Sequence, residues 1–515
     1  MPWRTPAAHA TGHRSREDGA NDGQKSAAAQ TRKLSSVFES TAPFFLFDYF
    51  RVPYERAADV ASTEVAKVST GSDGPFLAWP AGAALAAAGG QVGSFHLGEV
   101  PVFGRVAGNA QMGEWLRQSG TGWSAELELR DERGDARSAV WQRDDGSCFL
   151  PFDPNELISS YWSERYLKYV RPAALSRLAA LARRGYYRTR PLLPRRVQMT
   201  MRRSFSRVQS KAHFPRWPIE TALHDLYDLL FSFVAALTRD PIPYIAAWPG
   251  DRKWALVLTH DVETQVGYDK LTELLDAEVE TGFRSSWNFV PQNRYVVADE
   301  LVQSLTERGF EVGVHGLYHD GRDLASLKIL RRRLPAIRRY ADAWRARGFR
   351  SPGTLRSAEL LPLLGFDYDS SYSDTVPFEP QPGGCCTWLP YMLGELVELP
   401  ITVVQDHTLF DLLGHEDAAV WLEKARFLRD RGGMALFLTH PDYVGNRKLV
   451  PAYRRVLEEF DDDETVWKAL PREVSDWWRR RSQSTLHASD GEWSVAGPAA
   501  NEARVEFMTR AALNV

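Results

Sequence analysis

From about residue 245 to 482 the chain alternates short apolar runs with amphipathic ones, and this alternation constrains the fold more than any other feature. "KWALVLTHDVE", "SSWNFVP", "FEVGVHGLYH" and "MALFLTHPDY" read as buried strands. "DKLTELLDAEVETG", "ADELVQSLTERG", "DLASLKILRRRLPAIRRYADAWRARG" and "DAAVWLEKARFLRDRG" carry the 3.6-residue helical period, each with a glycine as its stop. Strands alternating with helices of this length build βα units around a parallel sheet. About seven such units in one stretch suit a closed sheet better than an open one. The predicted fold class is α/β: a distorted (β/α)7-type barrel over 245–482, ended by the helix "REVSDWWRRRSQ".

The rest of the 515 residues divides by texture. Residues 1–40 are small, polar and charged, a composition that cannot bury a core, and are expected to be disordered. Residues 41–165 hold short alternating runs, among them "VPVFGRV" and the pair "SAELELRDE" and "ARSAVWQ" around a turn. They predict a smaller β-rich domain. The aromatic "PFFLFDYFRVPYE" at its start also reads as a strand. Residues 166–244 are expected to be a basic helical connector. Its stretch 171–217 has about a dozen arginines and no acid, with prolines at 191, 194 and 215. Residues 483–515 form a tail with one short strand, "RVEF".

Net charge of −3 argues against a nucleic-acid binder as a whole. Only Cys148, Cys385 and Cys386 occur, which gives neither a disulfide framework nor a CxxC zinc site and fits a reducing compartment. No run is long and apolar enough for a transmembrane span or a signal peptide, so a cytoplasmic location is expected.

In parallel βα folds, chemistry gathers at the C-terminal strand ends, where the loops converge. Reading those ends gives Asp261 and Glu263, then His315 and His319, then Arg350, then Asp367, Asp369 and Asp374, and finally His440. Two imidazoles four apart can face one ion, and a carboxylate would complete an open three-ligand site. Asp261 and Glu263, two apart on a strand, share a face. One can bind the ion while the other takes a proton from water that the ion has acidified. Arg350 can orient the basic carboxylate, and His440 can protonate a leaving group if a carboxylate raises its pKa.

These residues resemble the polysaccharide deacetylase family, the NodB-homology domain of carbohydrate esterase family four. Five short motifs carry the likeness: "THDVE", the His-x-x-x-His of 315 and 319, "RSPG" from Arg350, the acidic "DYDSSYSD", and the Leu-x-His ending at His440. The resemblance spans 245–482. It implies a divalent ion, most often zinc, with cobalt, manganese or iron as alternatives. It also implies hydrolysis of N-acetyl or O-acetyl groups on a polysaccharide or glycan precursor. Carried over, Asp261 is the general base, Glu263, His315 and His319 are the metal ligands, and His440 is the general acid. Arg350 tethers the base, and Asp369 or Asp374 tunes His440.

Two departures stand out. Val262 separates the two acids and the second is a glutamate, which leaves Asp261 as an alternative ligand. His260 stands where an aromatic or small residue is usual. Competing readings are a non-catalytic glycan-binding protein on the same barrel, and an amide hydrolase acting on a small non-sugar substrate. The expected partner is an N-acetylated glycan, with no nucleic acid.

Overall fold

The computed structural model describes residues 38–57, 64–71, 73–170 and 214–509. Nearly all of the segment expected to be disordered (1–40), and most of the basic stretch 171–217, lie outside them.

The expected alternation builds a mixed α/β fold around one nine-stranded sheet. Its strands are β1 (Trp254–Val262), β2 (Ser285–Phe289), β3 (Glu311–Val314), β4 (Gly348–Phe349), β5 (Tyr368–Asp369), β6 (Tyr391–Leu393), β7 (Leu396–Glu398), β8 (Met434–Thr439) and β9 (Val466–Ala469). The order is β6-β7-β5-β4-β3-β2-β1-β8, with β9 also on β1, and every pairing is parallel except the β6–β7 hairpin. All nine residues of β1 are buried, as expected of a central parallel strand covered on both faces.

The sheet curls into a half-barrel. No strand ladder among the described residues joins the β7 side to β8. Pro400, which has no N–H to donate, follows β7 and interrupts regular pairing. The chain beyond it spans the gap irregularly: Val403 N–H donates to the Leu436 carbonyl at 3.1 Å, and the Thr402 hydroxyl to the Met434 carbonyl at 2.6 Å.

The first part of the chain forms a second, largely antiparallel nine-stranded sheet. It includes the expected hairpin, Ser124–Asp131 against Ala136–Gln142. One element differs from expectation. "FLFDYF" (Phe45–Phe50) is a helix, not a strand, because Leu46, Phe47, Tyr49 and Phe50 recur at helical spacing and bury one stripe. Its rings pack on Tyr227 and Phe231 of the helix Ala222–Ala236. That second helix, in the stretch read as a basic connector, has no basic residue in it other than His224 and is almost wholly buried.

One hydrophobic core runs through both sheets. Polar contacts cross as well. The Tyr49 hydroxyl donates to the Pro390 carbonyl (3.1 Å), that of Tyr166 to Gly384 (2.7 Å), and that of Tyr391 to Trp162 (2.9 Å). At the C-terminus, the expected strand exists as Val505–Met508, paired antiparallel with Ile242–Ile245.

Candidate active site

Asp261 sits near the end of β1 and is almost wholly buried. Its Oδ1 accepts from Asn288 Nδ2 at 2.9 Å and from Arg350 Nη1 at 3.3 Å. Asn288 has room there because β3 carries Gly313 opposite: a Cβ would lie 2.0 Å from the Asn288 amide oxygen. Arg350, itself buried, is held on every side. Nη1 donates to Thr259 Oγ1 (2.8 Å), Nε to the Ser370 carbonyl (2.7 Å) and Nη2 to Ser370 Oγ (2.7 Å). Burial raises the Asp261 pKa, but the charges at His315, Arg350 and His440 more than offset it and hold the carboxyl below its ordinary range. At neutral pH, with His315 uncharged, Arg350 and His440 carry that effect.

His315 follows β3, and its Nδ1 lies 3.1 Å from the Arg350 carbonyl. A carbonyl only accepts, so Nδ1 bears the proton and Nε2 presents its lone pair. Burial then pulls the His315 pKa down to about 4, which keeps the ring neutral. Gly316 makes the turn toward His319. Its φ is +68°, and a Cβ would meet Pro352 at 2.6 Å, so only glycine fits. His319 Nε2 reaches Glu263 Oε1 at 2.9 Å, with His315 Nε2 4.0 Å from the same oxygen. The ligand atoms of Glu263, His315 and His319 all lie within 4.8 Å of one another. Burial raises the Glu263 pKa, yet His319, His440 and His315 together hold it well below the usual carboxylate range.

These three residues fit a divalent ion. The buried His315 Nε2 has no hydrogen-bond partner, a costly state for a buried polar atom unless something else accepts its lone pair. Two imidazole nitrogens and one carboxylate form an open donor set of the kind that binds zinc.

His440 closes the site from the end of β8. Its Nε2 lies 3.9 Å from Glu263 Oε1. Its Nδ1 is 2.6 Å from Asp406 Oδ1, and its backbone N–H donates to Asp406 Oδ2 at 2.7 Å. Burial works against the charged ring, but Asp406, then Glu263 and Asp261, push its pKa up to about 10.

Asp406 therefore corrects the expected tuning of His440 by Asp369 or Asp374. Asp369 accepts from the Ser371 N–H and hydroxyl, both at 2.9 Å, and faces the buried Glu398. Asp374 forms a buried ion pair with Lys424 at 2.5 Å. Neither touches His440, because both carboxylates are satisfied in other directions. Asp367 is spent at the sheet's rim, on Arg347 at 2.5 Å. His260 faces away from the site, between Glu278 (2.6 Å) and Thr439 (2.8 Å). Alternate residues of a strand point to opposite faces, so a neighbour of Asp261 cannot share its site. Asn288, Asp406 and Asp442, whose Oδ2 accepts the Glu263 N–H at 2.9 Å, complete the surroundings. Asn288 and Asp442 lie beside strand ends that the sequence marks, in "SSWNFVP" and "MALFLTHPDY", whereas Asp406 lies in the irregular stretch beyond Pro400.

No family model matches the chain, and no curated protein matches it. Solved structures do. Over a little under half of its length, the chain is similar to solved polysaccharide deacetylases. A candidate polysaccharide deacetylase from Mycobacterium smegmatis shares 19% identity, covering 48% of this chain and 96% of that one, at a TM-score of 0.37. Puue allantoinase shares 16% over 45% and 92%, at 0.36. A probable polysaccharide deacetylase from Pseudomonas aeruginosa PAO1 shares 17% over 45% and 93%, also at 0.36. At these values the likeness carries no argument about chemistry, which rests on the side chains above.

Proposed function

We propose that the chain is a divalent-metal-dependent hydrolase that removes acetyl groups from an N- or O-acetylated glycan, working on a distorted (β/α)7 barrel. The observation that carries the reading is the buried, unpartnered Nε2 of His315 beside Glu263 and His319, between an arginine-tethered carboxylate and a carboxylate-tethered imidazole.

Glu263, His315 and His319 would hold the ion. When bound, it supplies a polarising charge for the acyl carbonyl and acidity for water. Zinc suits the donor set, and cobalt, manganese or iron could replace it. Asp261 is the base. Arg350 and Asn288 both occupy Oδ1, which leaves Oδ2, 3.6 Å from His315 Nδ1 and outside hydrogen-bond distance of it, as the oxygen to take a proton. The depressed pKa keeps that oxygen ionised through neutral pH. His440 is the acid. Asp406 holds Nδ1 and orients Nε2 toward Glu263, where the leaving amine or alkoxide would receive its proton. Asp261 and His440 thus have opposite protonation states at the same pH, as a base and an acid must.

The test is acetate release from N-acetylglucosamine oligomers and from acetylated xylan, alongside elemental analysis of the purified protein. About one divalent ion per chain, with activity lost on chelation and restored by zinc, is expected. Full activity in metal-free protein would overturn the mechanism.

A further inference from the structure

The strand that ends in the candidate acid is held by regular pairing on one side only. Among the described residues β8 pairs with β1 alone, from Ala255–Met434 to His260–Thr439. On its other side the contacts from Val403 and Thr402 reach only Leu436 and Met434, near its start. The last rung, His260–Thr439, immediately precedes Asp261 on one strand and His440 on the other. Whatever secures that rung bears directly on where the base stands relative to the acid.

A wholly buried polar network secures it, on the face of the sheet turned away from the site. Thr439 Oγ1 lies 2.8 Å from His260 Nδ1, so the side chains of the rung bond to each other as well. His260 Nε2 lies 2.6 Å from Glu278 Oε1. A carboxylate accepts, which puts the ring proton on Nε2 and leaves Nδ1 to accept from the Thr439 hydroxyl. Glu278, on the helix Thr272–Glu280, also accepts from Ser285 Oγ at the start of β2 (2.6 Å) and from the Tyr453 hydroxyl on the helix Leu449–Phe460. The His260 ring stacks on Trp287 of β2, with 4.1 Å between centroids. Both ring nitrogens are thus engaged and the plane of the ring is set. Apolar side chains would cover this face without desolvating so many polar groups. What the network adds is direction.

We propose that His260 is a positioning residue: through Thr439 it locks the end of β8 to β1 and so sets the separation of His440 from Asp261. It acts from the far face of the sheet and touches neither the reacting groups nor the ligand set. The inference rests on the hydrolase reading and deepens it. β1 is also held by β2 up to Val262, so slack in the last rung falls on β8 and on the acid. An acid matters most where the leaving group is poor. An amide nitrogen must be protonated before it departs, whereas 4-nitrophenolate leaves unaided. A loosened rung therefore slows amide hydrolysis and spares the activated ester.

The experiment compares zinc-loaded wild type, Thr439→Val, Thr439→Ser and His260→Phe on N-acetylglucosamine tetramer and on 4-nitrophenyl acetate, with thermal melts to show that each is folded. Thr439→Val removes the hydroxyl and leaves His260 on Glu278. His260→Phe keeps a ring over Trp287 and removes both nitrogens, and it decides the matter should Thr439→Val not fold. Each is expected to lower kcat on the tetramer about 10-fold, with KM unchanged and the ester rate kept, which is part of one general-acid contribution. Thr439→Ser, which retains the hydroxyl, should match wild type. Full tetramer turnover in the folded variants, an equal loss on both substrates, or no recovery in Thr439→Ser overturns the positioning role. A wild type that hydrolyses neither substrate would instead overturn the hydrolase reading, and this inference with it.

Discussion

Asp406 Oδ1 lies 2.6 Å from His440 Nδ1, and the two residues come from separate segments 34 positions apart. That contact makes the ring an imidazolium at neutral pH, with a pKa pushed up to about 10 although burial alone would lower it. A bound dication would draw the value down, and Asp406 would still oppose it.

A raised histidine pKa means that the acid is present below that value and disappears as pH rises through it. Asp406→Asn removes the charge that raises it, so the alkaline limb of the kcat profile moves to lower pH. At pH 8.5 the variant is expected to lose about 100-fold in kcat, the scale of one general-acid contribution, and less at pH 6. Profiles of both proteins from pH 5 to 10 check this. Coincident alkaline limbs would show that Asp406 does not set the acid.

The ligand set predicts a stability signature independent of turnover. An ion that binds only the folded chain stabilises it by about 2.7 kcal/mol at one hundred times its dissociation constant. Wild-type protein should melt higher in zinc than in chelator, and His315→Ala should show no such gain. Glu263→Gln, which keeps the size but removes the charge, should shrink it. An equal zinc-induced shift in His315→Ala would place the ion elsewhere.

Much of this site was legible in the sequence because strand ends are local features. Asp261, Glu263, His315, His319, Arg350 and His440 each follow an apolar run, and a parallel sheet brings such ends together whatever its exact curvature. Asp406 was not legible, since it caps an irregular turn at His407–Leu412 after the chain has left regular pairing at Pro400. Asp374 misled for a related reason. Its partner Lys424 lies 50 residues away on the helix Ala419–Asp430, a pairing that no local spacing reveals. At Phe45–Phe50, aromatic content suggested a strand, and the spacing of the buried rings against Tyr227 and Phe231 decided for a helix.

Arg350 and Asp261 form a pair in which both side chains are nearly inaccessible, 1% and 2% exposed. Truncating one partner of such a pair leaves an uncompensated buried charge, which costs about 3–5 kcal/mol. Arg350→Ala should therefore lower the urea midpoint strongly. Arg350→Ala/Asp261→Ala should recover part of the loss. Arg350→Lys should recover little, because an ammonium cannot reach Thr259, Asp261 and both Ser370 oxygens at once. A loss below about 1 kcal/mol in Arg350→Ala would mean that water compensates Asp261 and the tether is dispensable.

Glu311 gives the fold its own pH dependence. It begins β3, buried, accepting from the Tyr368 hydroxyl at 2.9 Å and the Arg472 N–H at 3.0 Å. Burial pushes its pKa up to about 7 against these partners. The unfolded chain would release this proton near pH 4.5 and the folded one near 7, so the folded state binds the proton more tightly. The stability this supplies is complete below pH 4.5 and is lost as pH rises through 7. The loss amounts to about 3 kcal/mol between those limits. Glu311→Gln has no proton to release. It should unfold at nearly the same urea concentration as wild type at pH 5 and at a higher one at pH 8. Parallel stability curves for the two proteins across pH 5 to 8 would show that Glu311 ionises freely in the folded chain.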